Sequence, residues 1–513
     1  MKIAETELKL TLPVKKNAAF KRLVAERLAK TTTPRTTRLF TIYFDTPSLD
    51  LAKAGLALWL QRTDGQWIQT LRQKKPAGAG LHRCTTQESR VQGQSLELNK
   101  LELNKIARRK PQQFLLQTHI AAALQPRFIT DIERTRWNLQ DAHGNAVAVS
   151  LDQGSIKSGQ RTLQLNEVEI KLKHGEVQAL FELASAWAAT LTLIPETTTT
   201  AERGYALSQG DVARAASSAR IPQQKSKSTP YEAMHSVALE SLRHLRANVP
   251  GILAGEDLEF VHQARVALRR LRSAYKVFGD SAARDWQTIM SETRWLASLL
   301  GNVRDLDVLL TETLPPIEAA LALEIEFIPF KKAVIALRDQ HRRTLRSALI
   351  SSRYAMLMLL ILRVLNDPPP KPEGPCKSLR RFARRALNKR WRQVEQRASK
   401  WRAMDREQRH DLRKRTKKLR YAIEFLSPLY ARNPTRRYLK KLQQLQQVLG
   451  LMNDETVAQK LIANLVKTHP SLKHTGGLIA GWLAATEKKS ETELDTVIKK
   501  FEKAAKFWSR KNK

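Results

Sequence analysis

The sequence contains the same amphipathic helix twice. HQARVALRRLRSAYKVF (His262–Phe278) and HDLRKRTKKLRYAIEFL (His410–Leu426) align with His262 over His410, Arg265 over Arg413, Leu271 over Leu419 and Arg272 over Arg420. Arg269 and Arg270 fall on Lys417 and Lys418, so charge is kept where residue type changes. At about 100° per residue, His262, Arg265, Arg269, Arg272 and Lys276 share one face, while Leu268, Leu271, Tyr275 and Phe278 lie on the neighbouring, buriable face. The stretch after each copy recurs as well: LLGNVRD (Leu299–Asp305) matches VLGLMND (Val448–Asp454), with Gly301 over Gly450 and Asp305 over Asp454. A charged run on one helix is usually a solvated face. Packing would repeat the leucines, but it has no need to repeat a cationic row. The duplicated row therefore reads as a surface for polyanions. His262 and His410 on their own fit a hydrogen-bonded helix residue as well as an anion ligand.

Charge supports this reading. The chain of 513 residues carries a formal net charge of +40, of which +11 lies in 1–210 and +29 in 211–513. An excess of that size in the helical part suits polyphosphate, nucleic acid or an anionic lipid surface. Few aromatics interleave with the basic rows, so base-stacking platforms are lacking and nucleic acid ranks last. Cys84 and Cys376 are the two cysteines, which leaves no disulfide framework and no zinc spacing. The first residues lack a signal-like apolar core, and the longest apolar run, Ala355–Leu362, is too short to span a bilayer. A cytoplasmic protein without a membrane span is expected.

Four motifs in order, HQARVALRRLRSA, LLGNVRDLDVLL, HDLRKRTKKLRYAIEFL and LQQLQQVLGLMND, resemble the CHAD domain, a conserved-histidine helical domain associated with inorganic polyphosphate. The resemblance runs from about Pro230 to the end of the chain. It implies two pseudo-symmetric four-helix bundles, over about 230–365 and 377–513, separated by the proline-rich NDPPPKPEGP (Asn366–Pro375), which cannot be helix. It also implies polyphosphate contacts from His262, Arg265, Arg269, Arg272, Arg304, His410, Arg413, Lys417 and Arg420.

The first 207 residues read differently. Strand-like alternations at 3–10, 56–61, 67–71, 146–152 and 163–172 are mixed with helical stretches at 17–29 and 177–190, and the polar segment 208–229 reads as a linker. In the first strand Glu5, Glu7 and Lys9 share a face. On that stretch alone a solvent-facing edge would be the ordinary explanation. NEVEIKL repeats the alternation with Glu167 and Glu169, and LDQG adds Asp152 at a strand end. Five carboxylates from three strands are able to converge on a hard divalent cation, which takes oxygen ligands.

These residues, with YFDTPSLDL (Tyr43–Leu51), GLALWLQR (Gly55–Arg62), TDIERTRW (Thr130–Trp137) and AERGY (Ala201–Tyr205), resemble the CYTH family of triphosphate tunnel metalloenzymes. The resemblance implies an antiparallel β-barrel tunnel, giving a multidomain α+β chain with an all-α duplicated second part. It implies Mg²⁺ or Mn²⁺ on Glu5, Glu7, Asp152, Glu167 and Glu169, and triphosphate on Lys9, Arg62, Arg72, Arg134, Arg136 and Arg203. CYTH joined to CHAD is the arrangement of bacterial inorganic triphosphatases, with inorganic triphosphate and polyphosphate as partners. The pattern also departs from the family. Trp59 and Gln61 stand where paired arginines are expected, with Arg62 one position off register. Arg72 replaces a lysine, Cys84 (beside Arg83) replaces an arginine, and Thr200 replaces a lysine. A metal-dependent triphosphatase is the first reading, and a polyphosphate-binding or granule-associated adaptor with a degenerate barrel is the alternative.

Overall fold

A computed structural model describes residues 2–27, 33–74, 81–90, 113–210, 215–279, 285–321, 326–367 and 378–509; the side chains of 2–5, 90 and 487–490 lie outside the description. Glu5 is therefore placed by its backbone alone. Cys376 and nearly all of the proline-rich break between the repeats lie outside the described residues. The chain divides into two compact units, 1–214 with 350–367, and 215–349 with 368–513.

The first unit is built on antiparallel strands β1 (Lys2–Thr11), β2 (Arg35–Asp45), β3 (Leu56–Thr63), β4 (Gln66–Lys74), β5 (Leu81–Arg90), β6 (Gln125–Gln140), β7 (Ala146–Ser158) and β8 (Arg161–His174). They pair in the order β5-β4-β3-β2-β6-β7-β8-β1, and β1 pairs back onto β5, which closes an eight-stranded barrel. A short β9 (Ile194–Glu196) continues along β1 beyond β5. Closure removes free edges and sorts alternate side chains to the lumen and the outside. Outward-facing Ile42, Phe44, Leu56, Leu58, Leu60 and Leu71 form one apolar cluster with Leu115 and Ile120. Inward-facing Tyr43, Trp59, Phe128, Ile132, Ile156 and Leu165 form another with Tyr205 and Leu207 of the helix Thr200–Ser208. That helix starts on a capping box between Thr199 and Glu202. Gly204 lets it lie against Phe128, whose ring would stand 2.1 Å from an added Cβ.

The helix Ser352–Asn366, expected within the first helical repeat, belongs instead to this unit. Its nine buried residues include Leu357, Met358, Ile361 and Leu365, so it is apolar on more than one face and needs cover on several sides. It packs on the helix Gln178–Leu191 and on β9. Gln178 donates to Asp367 at 2.5 Å, and the hydroxyls of Thr192 and Ser352 meet at 3.2 Å.

The second unit is helical. Its long helices are Pro230–Ala254, Leu258–Phe278, Asp285–Val308 and Ile328–Leu349, then Leu379–Ala398, Arg406–Leu426, Arg432–Thr468 and Lys473–Glu502. Among the described residues this is four and four, as the duplication predicts. The segment expected as a plain linker is partly pinned: the Ser217 carbonyl accepts from Asn248 at 3.1 Å and lies 2.9 Å from His244 Nε2. No single helix among the described residues is long and apolar enough to cross a membrane.

Candidate active site and basic groove

In the barrel the pairing registers decide which predicted residues meet. Asp152 on β7 sits opposite Glu167 on β8 and opposite Arg134 on β6, and Lys9 on β1 sits opposite Glu169. Contacts between strands that are not neighbours define the lumen. Arg72 Nη1 on β4 reaches Glu7 on β1 at 3.7 Å, and Arg134 on β6 reaches Glu169 on β8 at 3.4 Å. Arg134 also grips Asp152 with two parallel bonds of 2.7 and 2.6 Å. Lys9 Nζ stands 3.3 Å from Glu169, and Arg203, carried in by the helix after β9, stands 2.5 Å from Glu167. In these ion pairs Glu7, Asp152, Glu167 and Glu169 face Lys9, Arg72, Arg134 and Arg203. Four negative charges balance four positive ones.

This balance explains how so much charge is buried. Glu7 is 2% exposed and Glu167 4%, an arrangement that costs several kcal/mol per ion unless each is paired. Burial pulls the Lys9 ammonium down, but Glu169, Glu7, Glu167 and Asp152 outweigh it and hold it well above its ordinary value. Burial likewise works against the Glu169 carboxylate, and Arg134, Lys9 and Arg72 reverse this and hold it far below the usual range. The carboxylates are the hard oxygen donors that a divalent cation prefers. Among the described residues no group of three is gathered closely enough to hold a metal ion, and Glu7, Asp152, Glu167 and Glu169 are each turned to a cation of the chain.

Arg62 corrects a prediction. It pairs with Phe40 and Trp67, whose rings pack on the outer apolar cluster, and it is exposed on the outside of β3. One residue of register sends a side chain to the opposite face of a strand. Arg136 keeps the lumenal parity of Arg134 but is exposed, unlike the buried pairs. The lumenal positions next to Arg62 hold Trp59, 5.2 Å beneath the Arg72 guanidinium, and Gln61, which donates to Thr41 at 3.1 Å. Two lumenal residues escaped the sequence reading. His82, opposite Glu7, is brought down to about 4 by burial and by Lys9, and its Nε2 lies 2.9 Å from the Glu196 carbonyl. Lys74 is paired with Glu202. The alternation of His82, Cys84 and Thr86 was the signal available for the first.

In the helical unit the two basic helices pack on each other. The repeated aspartates explain themselves: Arg265 stands 3.6 Å from Asp305, and Arg413 stands 3.5 Å from Asp454. Each pair also feels the other. Arg265 is acted on by burial, Asp305, Arg269 and Asp454, while Arg413 is acted on by burial, Asp454, Arg269 and Arg265. Arg265, Arg269, Arg413 and Lys417 thus gather in one basic cluster where the two repeats meet. Gly301 makes room there, since Arg265 Nη1 would lie 2.5 Å from a Cβ at that position. The buried Nε of Arg269, Arg272, Arg413 and Arg420 find no hydrogen-bond acceptor among the described residues. Burial, then Arg413 and Arg269, lowers the Lys417 ammonium to about 7.

Other predicted residues lie at the ends of this cluster. Arg272 has Arg294 as its charged neighbour, Arg420 pairs with Glu424 at 2.9 Å, and Arg304 pairs with Glu312 at 2.7 Å. His410 Nδ1 meets Asn453 at 2.7 Å, and His262 stands near Arg304 and Glu259. Both histidines are lowered, chiefly by burial.

Comparison with known proteins agrees with both units. The CYTH domain family matches residues 4–205, and the CHAD domain family matches residues 236–463. An inorganic triphosphatase of Haemophilus influenzae is 30% identical over 165 residues, covering 32% of this chain and 44% of that protein, so the likeness spans less than half of that relative. The crystal structure of the CHAD domain from the plant Ricinus communis is 30% identical with a TM-score of 0.52, covering 57% of this chain and 99% of that one. A Hippeastrum protein described as a putative adenylyl cyclase with a dominant triphosphatase activity is 16% identical with a TM-score of 0.30, covering 41% and 97%, too distant to carry weight. The chain belongs to the CYTH and CHAD families, with a CYTH barrel followed by a CHAD helical domain.

Proposed function

We propose that the barrel hydrolyses the phosphoanhydride bond of inorganic triphosphate and that the helical groove holds longer polyphosphate. The observation that carries the first part is the set of four balanced ion pairs in the lumen. Lys9, Arg72, Arg134 and Arg203 would turn from their carboxylates to the phosphate oxygens. That exchange would free Glu7, Asp152, Glu167 and Glu169, with Glu5 beside them in sequence, to hold Mg²⁺ or Mn²⁺. Such a cation supplies charge neutralisation on the phosphates and a more acidic water. Positioning and neutralisation are most of what phosphoryl transfer needs from a protein. His82 is neutral at pH 7 and adds no charge to the lumen.

Trp59 and Gln61 favour the second reading, a non-catalytic adaptor, because they occupy lumenal positions without offering a cation to phosphate. Phosphate release from tripolyphosphate, long polyphosphate and ATP separates the readings when measured with Mg²⁺, with Mn²⁺ and with chelator. Release from tripolyphosphate, dependent on the cation and faster than from ATP, is expected. No release from any of the three would leave the adaptor.

The polyphosphate part rests on the shared cationic groove and its unsatisfied guanidinium donors. Lys417, at about 7 instead of its ordinary 10.5, is largely neutral at pH 8. A bound polyanion favours the charged form, so binding at pH 8 should take up protons. Affinity should fall as pH rises from 6 to 8. Calorimetry in buffers of different ionisation heat measures the uptake, expected to approach one proton per bound chain and to vanish in Lys417→Arg. Equal uptake in that variant would show another group to be responsible.

A further inference from the structure

The two repeats differ where their basic helices pass one another. With His262 laid over His410, Arg270 matches Lys418 and Lys276 matches Glu424. Pseudo-symmetry relates the contact between Arg270 and Glu424 to one between Lys418 and Lys276. The first is a closed, buried ion pair. Arg270 Nη1 donates to Glu424 at 3.0 Å, Nη2 donates to the Arg220 carbonyl at 3.0 Å, and the guanidinium lies 5.3 Å from the Phe425 ring centroid. The side chains of Arg270 and Glu424 are 4% and 14% exposed.

The second contact has the opposite character, because a lysine stands where its counterpart has a carboxylate. Burial, then Lys418, Arg272, Arg294 and Lys414, lowers the Lys276 ammonium, so the strongest charged influences on it are all cations. A pocket of about 250 Å³ opens here, lined by Ser273, Lys276, Val277, Lys389, Arg390, Gln393 and Lys418. Arg390 is fixed in its wall, donating to the Lys276 carbonyl at 2.6 Å and to the Ala386 carbonyl at 3.1 Å. The volume is several times the roughly 30 Å³ share of one water, room enough for a phosphate- or pyrophosphate-sized group.

We propose that this pocket is an anion site, in which a phosphate- or pyrophosphate-sized group takes the place of the carboxylate that Glu424 supplies on the other side of the pseudo-twofold. Lysines from three helices line it, Lys276, Lys389 and Lys418, together with Ser273 and Gln393, whose side chains are hydrogen-bond donors by type. The ligand is a terminal phosphoryl chemistry, either a free small anion or the end of a longer chain. The proposal stands independently of whether the groove binds polyphosphate.

Titration of the full chain with pyrophosphate, followed by calorimetry, tests it. Lys276→Glu restores the acid–base pattern of the other side, and since Lys276 is exposed the fold is expected to persist. One equivalent of pyrophosphate should be lost, or its affinity lowered at least 30-fold. Lys276→Gln should fall between this variant and the parent, and a groove variant (Arg265, Arg269 and Arg413 to Gln) should keep the site. A parallel fall in long-chain polyphosphate affinity in Lys276→Glu assigns the pocket to the end of a chain, and an unchanged long-chain affinity assigns it to the free anion. Identical pyrophosphate binding in the parent and Lys276→Glu, or loss of this equivalent in the groove variant alone, overturns the proposal.

Discussion

Changing Glu7 and Glu169 together to glutamine is expected to lower tripolyphosphate hydrolysis by at least about 100-fold, the size seen when one preorganised electrostatic contact is removed. The substitution keeps shape and removes two of the four carboxylates in the buried ion pairs. Its effect on the fold is the main complication. Arg72 would lose Glu7, while Lys9 and Arg134 would lose Glu169, and stranding buried charges costs about 3–5 kcal/mol for a broken pair. Circular dichroism and the midpoint of thermal unfolding belong in the same experiment. A folded double variant with undiminished release would mean that the chemistry lies elsewhere.

The second large effect is expected in the groove. Changing Arg265, Arg269 and Arg413 to glutamine should weaken long-chain polyphosphate binding by at least about 100-fold, since each charge-assisted contact contributes roughly 1.5–3 kcal/mol. These three act on one another across the repeats, which Arg272 does not do. The control removes the same formal charge from Lys440, Lys467 and Lys473, which are exposed. Screening leaves such distant charges a small share, about threefold at physiological salt. Equal losses from the two sets would reduce the groove to diffuse attraction. The loss should shrink as salt rises, because polyanion binding releases counterions.

Much of this was legible in the sequence, for reasons that differ between the units. Alternation in a strand is a strict period of two, so Glu7 with Lys9, and Glu167 with Glu169, read directly as pairs sharing a face. The same rule turns Arg62 outward. A positive charge near a motif was not enough, because register decides the face. Arg203 and Glu167 were each found from their motifs, but their pairing was not, since the helix that carries Arg203 meets β8 only in the folded chain. Trp59 was visible as a departure, whereas its stacking under Arg72 needed the barrel to close.

In the helical unit the duplication revealed the cationic row because its spacing repeats. Periodicity within one helix cannot say which neighbour covers each part of the row. Arg265 and Arg269 meet the other repeat, while Arg272 turns towards Arg294. The helix Ser352–Asn366 was hidden for a related reason. Its apolar circumference announces burial but not the surface that covers it, and that surface proved to be β9 and the helix Gln178–Leu191.

The central claim is that the lumenal carboxylates and cations hold one another until phosphate takes the cations. Water-proton relaxation of Mn²⁺ reads protein-bound manganese against free manganese, and measures this directly when run with and without tripolyphosphate. The account predicts weak enhancement for the protein alone. It predicts a rise of about tenfold or more in apparent Mn²⁺ affinity when tripolyphosphate is added, as a released buried pair of a few kcal/mol allows, and loss of that rise in the Glu7→Gln, Glu169→Gln double variant. The same enhancement in the double variant as in the parent protein would contradict it.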